Sequence, residues 1–266
     1  MQGFCDQHIH SALSLDGRSP LLEQVRACRD AGVTQVCFTE HIDFGTQDGD
    51  FTVNFDEYVR QIEQARAAFP DLCIRVGLEL GDTEESRGRV LEQSNVLPLD
   101  FKLLSRHLIG GMDPYFGMEF FAHRTRAQAA HEYCQAVYET VTRFPDYDAV
   151  AHIGYVFKFA QGDGFPPLRY RDEPDLIDAT LRFMAEHGKA LEVNTSRWER
   201  FGEGMPGKDI LMRFRELGGE RVTIGSDAHD TAGVAQGFAQ AVECIKACGF
   251  SHLAVYERRR AKMVRL

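Results

Sequence analysis

Long apolar runs are missing from this 266-residue sequence: none approaches the roughly 18 residues needed to span a bilayer. The N-terminus, MQGFCDQHIH, turns polar at once and offers no signal-peptide core. Seven cysteines, an odd number at scattered positions, do not read as a disulfide framework, and none recurs at zinc-finger spacing. Cys244 and Cys248 lie at helical spacing in an apolar pattern and are expected to pack in the core. These absences point to a reduced cytoplasm. Positive charge is also in deficit, with 30 Lys and Arg against 40 Asp and Glu for a net −10, which disfavours binding to a phosphate backbone. Repeats, low-complexity segments and Ser/Gly linkers are lacking too. So are two phosphate-chemistry signatures, a Cys-x5-Arg loop and a Gly-rich loop closing on Lys-Ser or Lys-Thr.

What the sequence does contain is alternation. Short apolar runs at Gly3–Gln7, Thr34–Phe38, Cys73–Leu78, Phe101–Ser105, Ala149–Ala151, Ala190–Val193 and Arg221–Ile224 read as strands. Helical patterns separate them. Ser19-Pro20 is expected to cap a helix carrying Leu22, Val25 and Cys28 as far as Gly32. Further helices are predicted over Asn54–Phe69, Thr125–Phe144, Asp172–His187, Lys208–Leu217 and Thr231–Cys248, the last three followed or ended by Gly188, Gly218 and Gly249. The Glu257–Arg260 run reads as a solvated helix face. Seven strands alternating with helices imply parallel pairing in a single α/β domain over residues 1–266. A (β/α)7-like barrel is preferred to an open doubly wound sheet, because polar groups finish nearly every apolar run. In barrels the reactive groups gather at the C-terminal ends of the strands.

Those endings carry the chemistry. In order they deliver His8-Ile9-His10, Glu40-His41, Glu79, Ser105-Arg106-His107, His152, Asn194-Thr195-Ser196-Arg197 and Asp227-Ala228-His229. On an extended strand, residues two apart share a face, so His8 and His10 can reach one ion. Six of the ten histidines end such runs. Imidazoles packed together with carboxylates need a cation to compensate them. Six imidazoles with Asp16, Glu79 and Asp227 exceed the needs of one tetrahedral ion. Two or three divalent ions with a bridging carboxylate are expected, and mixed nitrogen and oxygen donors suit Zn, Mn or Fe.

His8-x-His10, Thr39-Glu40-His41, Gly77-Leu-Glu79, His107, His152 and Gly225-Ser-Asp227-Ala-His229 together resemble the PHP (polymerase and histidinol phosphatase) family. The wording Leu191-Glu-Val-Asn-Thr-Ser196 is similar to its histidinol-phosphatase branch. The resemblance implies a distorted (β/α)7 barrel with a trinuclear metal site. Carried over, His8, His10, Glu79 and Asp227 would hold one ion. Glu79 would bridge to a second, held by His107 and His152, and Asp16, His41 and His229 would hold the third. Many relatives have a histidine where this chain has Asp16. Glu79, Asp227 and His229 are the expected catalytic residues.

Clustered divalent ions suit phosphomonoester hydrolysis, with direct attack by a metal-bridging hydroxide and no covalent enzyme intermediate. Arg197, and next Lys158, are expected to hold the phosphoryl oxygens, whereas alternation points Arg106 away from the metals. The implied substrate is L-histidinol phosphate, in histidine biosynthesis. Alternatives are a related phosphoesterase acting on nucleotides or sugar phosphates, a metal-stabilised scaffold, a polymerase-associated exonuclease module and an amidohydrolase. In the last, the bridge is usually a modified lysine where this chain has Glu79. The region His107–Arg126, with Met112, Tyr115, Phe116, Phe120 and Phe121, reads either as a specificity lid or as core. Asp43, Asp163 and Glu199 are expected to be solvated charges on rim loops.

Overall fold

In the computed structural model, which describes residues 3–117, 119–160 and 165–266, the apolar runs become one sheet. Its strands are β1 (Phe4–Ile9), β2 (Val33–Thr46), β3 (Gly49–Phe51), β4 (Cys73–Gly81), β5 (Phe101–Ser105), β6 (Ala149–Val150), β7 (Ala190–Asn194) and β8 (Val222–Gly225). Seven pair in parallel in the order β1-β2-β4-β5-β6-β7-β8, while β3 folds back antiparallel on β2. The two edges then meet. Ile9 bridges Ala228 in the parallel sense, the Asp227 amide donates to His8 O at 2.7 Å, and the His10 amide donates to Ala228 O at 3.0 Å. The sheet is thus a distorted seven-stranded barrel, nearly closed, as expected.

Alternation sorts the side chains. Along β4, Ile74, Val76, Leu78 and Leu80 join the core beneath the helices, and Arg75, Gly77, Glu79 and Gly81 occupy the other face. The helices are α1 (Leu21–Asp30), α2 (Phe55–Ala68), α3 (Arg87–Gln93), α4 (Glu119–Ala122), α5 (Arg126–Arg143), α6 (Tyr155–Phe159), α7 (Pro174–Glu186), α8 (Trp198–Phe201), α9 (Lys208–Glu216) and α10 (Phe238–Ala247). Helix α2 starts where Asn54 accepts from the Glu57 amide, and it buries Tyr58, Ile62 and Ala65. Each large side chain buried this way contributes about 1.5–3 kcal/mol. Thr125 and Gln128 form a reciprocal capping box at the start of α5, which buries Tyr133, Val137 and Val141.

Three expectations need correction. Helix α1 begins at Leu21, with Pro20 in the cap position. Ser19 does not cap it, because its Oγ accepts from the Thr231 amide at 3.3 Å. Leu21, Val25 and Cys28 face the core, while Leu22 is exposed. Second, no helix runs from Thr231. Asp230 accepts from the amides of Ala232 and Gly233, closing one short 3-10 turn, and Gly237 at φ 71° restarts the chain as α10. Third, Glu257–Arg260 belongs to no helix. It is the turn between antiparallel strands β9 (His252–Glu257) and β10 (Arg260–Arg265), with Arg258 and Arg259 at φ 48° and 64°. Arg259 pairs with Asp146 and Asp148. Gly188, Gly218 and Gly249 do end their helices at positive φ.

The hairpin closes the N-terminal end of the barrel. The Tyr256 amide donates to Gln7 Oε1, and its ring lies 4.8 Å from that of Phe101. Cys37, Leu103, Ala149, Ala151, Ala190 and Ala254 pack with these two rings as a separate inner cluster. Polar side chains are left to occupy the opposite end. Among the described residues, no helix is long and apolar enough to cross a membrane.

Candidate metal centre

The opposite end of the barrel gathers all nine residues picked out as ligands. Parallel register sets His41 of β2 beside Glu79 of β4, and the edge closure brings His8 and His10 to Asp227. His8 Nε2 lies 3.0 Å from His10 Nε2 and from Glu79 Oε2, and 3.7 Å from Asp227 Oδ1. His10 Nε2 is 3.3 Å from Glu79 Oε2 and 3.6 Å from Asp227 Oδ1. The other Glu79 oxygen, Oε1, faces His107 Nε2 at 3.1 Å and His152 Nε2 at 2.7 Å. Asp16, from the loop after β1, places Oδ2 3.0 Å from His229 Nε2 and 3.7 Å from His41 Nε2. The array falls into three adjoining groups, two of which share Glu79.

Its electrostatics call for cations. Burial opposes ionisation of Glu79, yet His8, His41 and His107 outweigh it and hold that carboxyl well below the usual range. Asp227 is also held well below, against burial, chiefly by Lys158. Burial opposes the His41 charge as well, but Asp16, Glu79 and Asp43 raise its pKa to about 9. His10 goes the other way, pushed well down by burial and by His41 and His229. Two ring nitrogens 3.0 Å apart need either a proton or a cation between them. Asp16 Oδ1 is buried with no hydrogen-bond partner, and His41 Nδ1 and Asp43 Oδ2 lie 3.3 Å apart without a well-aligned bond, a costly arrangement unless something else satisfies them. The residues therefore fit several small divalent ions with nitrogen and oxygen donors, and the six histidines form compact candidate ligand groups with Asp43, Glu79 and Asp227.

Supporting contacts orient the rings. His107 Nδ1 donates to Asp43 Oδ1 at 2.8 Å and His229 Nδ1 donates to Asp227 O at 3.0 Å, leaving each Nε2 free as a ligand. Glu40 accepts from Ser11 and Ser14, and Ser14 Oγ accepts from the His41 amide. Asp43 was expected on a solvated rim loop, but it is a buried residue of β2 between His41 and His107. The i, i+2 rule that linked His8 to His10 also links His41 to Asp43, so the sequence carried that signal. A side chain at Gly81 would collide with Asp43, its Cβ 1.7 Å from Oδ1. Glu192, in the quoted Leu-Glu-Val-Asn motif, contacts His8 from behind and was missed as well.

Above the array opens a cavity of about 540 Å³, a size suited to a small metabolite. Lys158 and Arg197 both line it. Lys158 pairs with Asp227, while Arg197 lies 5.7 Å from the Phe159 ring and its Nε has no partner. Arg18, absent from the sequence argument, lines the cavity too and pairs with Asp230. Arg106 turns away and donates to Asp82 O, as alternation implied. The expected lid divides: Tyr115 and Phe116 line the cavity, Phe120 and Phe121 are core, and Met112 is part-buried away from the cavity. Glu199 is exposed at the cavity wall, whereas Asp163 lies outside the described residues.

With this geometry in view, comparison with known proteins is informative. A PHP domain family model matches residues 6–196. The histidinol-phosphatase of Lactococcus lactis subsp. lactis (strain IL1403) is 30% identical over 252 residues, covering 94% of this chain and 93% of that protein. A crystal structure of histidinol phosphate phosphatase from the same organism, complexed with zinc, L-histidinol and phosphate, superposes with a TM-score of 0.88 at 29% identity, covering 98% of this chain and 99% of that one. A structure of metal-dependent tyrosine phosphatases from Bacillus subtilis and Streptococcus pneumoniae matches in fold alone, with a TM-score of 0.52 at 16% identity over 92% of this chain and 87% of that one. The chain belongs to the PHP domain family.

Proposed function

We propose that this chain is a metal-dependent phosphomonoesterase that converts L-histidinol phosphate to L-histidinol and phosphate in histidine biosynthesis. The observation that carries this reading is Glu79, one carboxylate whose two oxygens face separate histidine groups beneath a cavity walled by Lys158 and Arg197. His8, His10, Glu79 and Asp227 would hold one divalent ion, Glu79, His107 and His152 a second, and Asp16, His41 and His229 a third. Bound there, such ions neutralise phosphoryl oxygens, lower the pKa of water and stabilise a leaving oxygen.

The chain's own residues do the rest. Arg197 offers an unpartnered guanidinium nitrogen, and Lys158 an ammonium, to the non-bridging phosphate oxygens. Asp227 and His229, at the cavity floor, would hold their ions beside the phosphate and so help to place the attacking water. Glu79 fixes the spacing of the two histidine groups. Tyr115 and Phe116 supply an apolar wall, while Asp113 and Glu199 leave acidic side chains along the cavity for a cationic substrate. The identity to a histidinol-phosphatase along nearly the whole chain supports the choice of substrate. The catalytic unit is a single domain, because β1 and β8 must meet to assemble Asp227 and His229 with His8 and His10. Seven free cysteines suit a reducing cytoplasm. The −10 charge suits neither nucleic acid nor anionic membrane as a partner.

A phosphate-release panel tests the reading. Histidinol phosphate should be turned over selectively against nucleoside monophosphates and sugar phosphates, and activity should be lost on chelation. Equal rates across the panel would replace it with a generalist phosphoesterase.

A further inference from the structure

Glu192 lies on β7, 1% exposed and behind the ligand array, where it does not line the cavity. Both of its oxygens are committed. Oε1 accepts from His8 Nδ1 at 2.6 Å, so Nδ1 carries a proton and Nε2, which points at Glu79 and Asp227, is the nitrogen available to an ion. Oε2 accepts from the main-chain amide of His152 at 2.7 Å and from Asn194 Nδ2 at 3.3 Å. His152 needs such an anchor, because its φ of 20° is a conformation that L-residues rarely adopt. Its own Nε2 reaches Glu79 Oε1. One carboxylate therefore grips, from outside, a histidine from each of the two groups that Glu79 joins from inside. Space has been cleared for it. A Cβ on Gly225 would lie 2.3 Å from His8 Cβ and 2.4 Å from Glu192 Oε1.

We infer that Glu192 is a positioning residue that holds His8 in the tautomer with Nε2 free and anchors the strained His152 backbone, setting the two ligand groups in register. This rests on the reading of His8 and His152 as metal ligands. The requirement is for a carboxylate rather than for a side chain of that shape. A carboxylate accepts on both oxygens, whereas a glutamine amide accepts on one end and donates from the other. If the amide nitrogen of a glutamine faced His8, Nδ1 would have to accept and the ring proton would move to Nε2, removing the ligand lone pair. If it faced His152, donor would meet donor.

The test uses the full chain, stripped of metal and titrated with zinc against a chromophoric chelator, and with cobalt followed by its visible absorption. Wild-type protein should take up more than one ion. Glu192→Gln should lose about 10–100-fold in affinity for at least one ion and show an altered cobalt spectrum, while its circular dichroism stays unchanged. Unchanged affinity and an unchanged spectrum would overturn the inference with the metalloenzyme reading intact. A wild-type protein that binds one ion or none would overturn both. Should Glu192→Gln fail to fold, nitrogen-15 histidine spectra of the zinc-loaded wild type decide: His8 must carry its proton on Nδ1, and a proton on Nε2 overturns the inference.

Discussion

Lys158 Nζ lies 2.5 Å from Asp227 Oδ2, at the boundary between the ligand array and the cavity. The ammonium is the principal cause of the low Asp227 pKa. It is also a cation that a phosphate could recruit, so Lys158 stands between two anionic partners. Lys158→Met should raise the KM for the phosphate ester about tenfold or more, equivalent to about 1.4 kcal/mol. It should not weaken zinc binding, because the ammonium competes with a metal for Asp227. Steady-state kinetics beside a zinc titration check both, and an unchanged KM would remove Lys158 from the substrate site.

Glu79→Gln should abolish turnover and retain the fold. The amide keeps the volume but loses the charge that five imidazoles face. Elemental analysis should find fewer bound ions than in wild type, with unchanged circular dichroism. Normal phosphate release by this variant would show that the bridging assignment is wrong.

Arg197 differs from Lys158 because its Nε has no protein partner to leave. Charge-assisted hydrogen bonds to a phosphate are worth about 1.5–3 kcal/mol. Arg197→Ala should therefore lower kcat/KM by roughly one to two orders of magnitude, with metal content unaltered. An unchanged specificity constant would reassign Arg197 to packing against Phe159.

Metal-stripped protein should show a stability window that zinc widens. The His41 pKa is raised to about 9 from an ordinary 6.5. The stability it contributes is fully present below about 6.5 and is lost as pH rises through about 9. Asp43 is lowered to about 2 from 3.8, burial opposing and His107 prevailing, so its contribution is present above 3.8 and fades as pH falls through about 2. Melting temperature in chelator should hold between about pH 4 and 6.5 and decline toward 9. Zinc binds neutral imidazole, so the gain in melting temperature on adding zinc should grow over that alkaline range. A gain independent of pH would mean that zinc does not displace the His41 proton.

The parts of the molecule legible in the sequence are those governed by local periodicity. All seven parallel strands and eight of the nine candidate ligands follow from apolar runs ending in polar residues, because a barrel turns every such ending to one rim, whereas Asp16, on the loop after β1, is assigned through the family resemblance. The β9–β10 hairpin was not legible. Its turn consists of arginines in the left-handed region, where no Gly or Asn signals it, and tertiary pairing of Arg259 with Asp146 and Asp148 offsets the strain. Asp43 was misplaced because a charge after a strand end usually marks a loop, whereas β2 continues to Thr46 to pair with β3. The roles of Glu40 and Glu192 depend on side chains that arrive from other strands and loops, and spacing within a strand carries no information about those.

The inner plug of Phe101, Tyr256 and small apolar residues fills the end of the barrel opposite the cavity. The cavity mouth is then the expected route for ester, water and both products. Phosphate, if held against Lys158 and Arg197 as proposed, would leave only after the alcohol has cleared the mouth. Ordered product release is then the expected outcome, with phosphate leaving last. Phosphate should then inhibit competitively against the ester, and the alcohol product noncompetitively. The reverse pattern in product-inhibition kinetics would mean that a second exit exists.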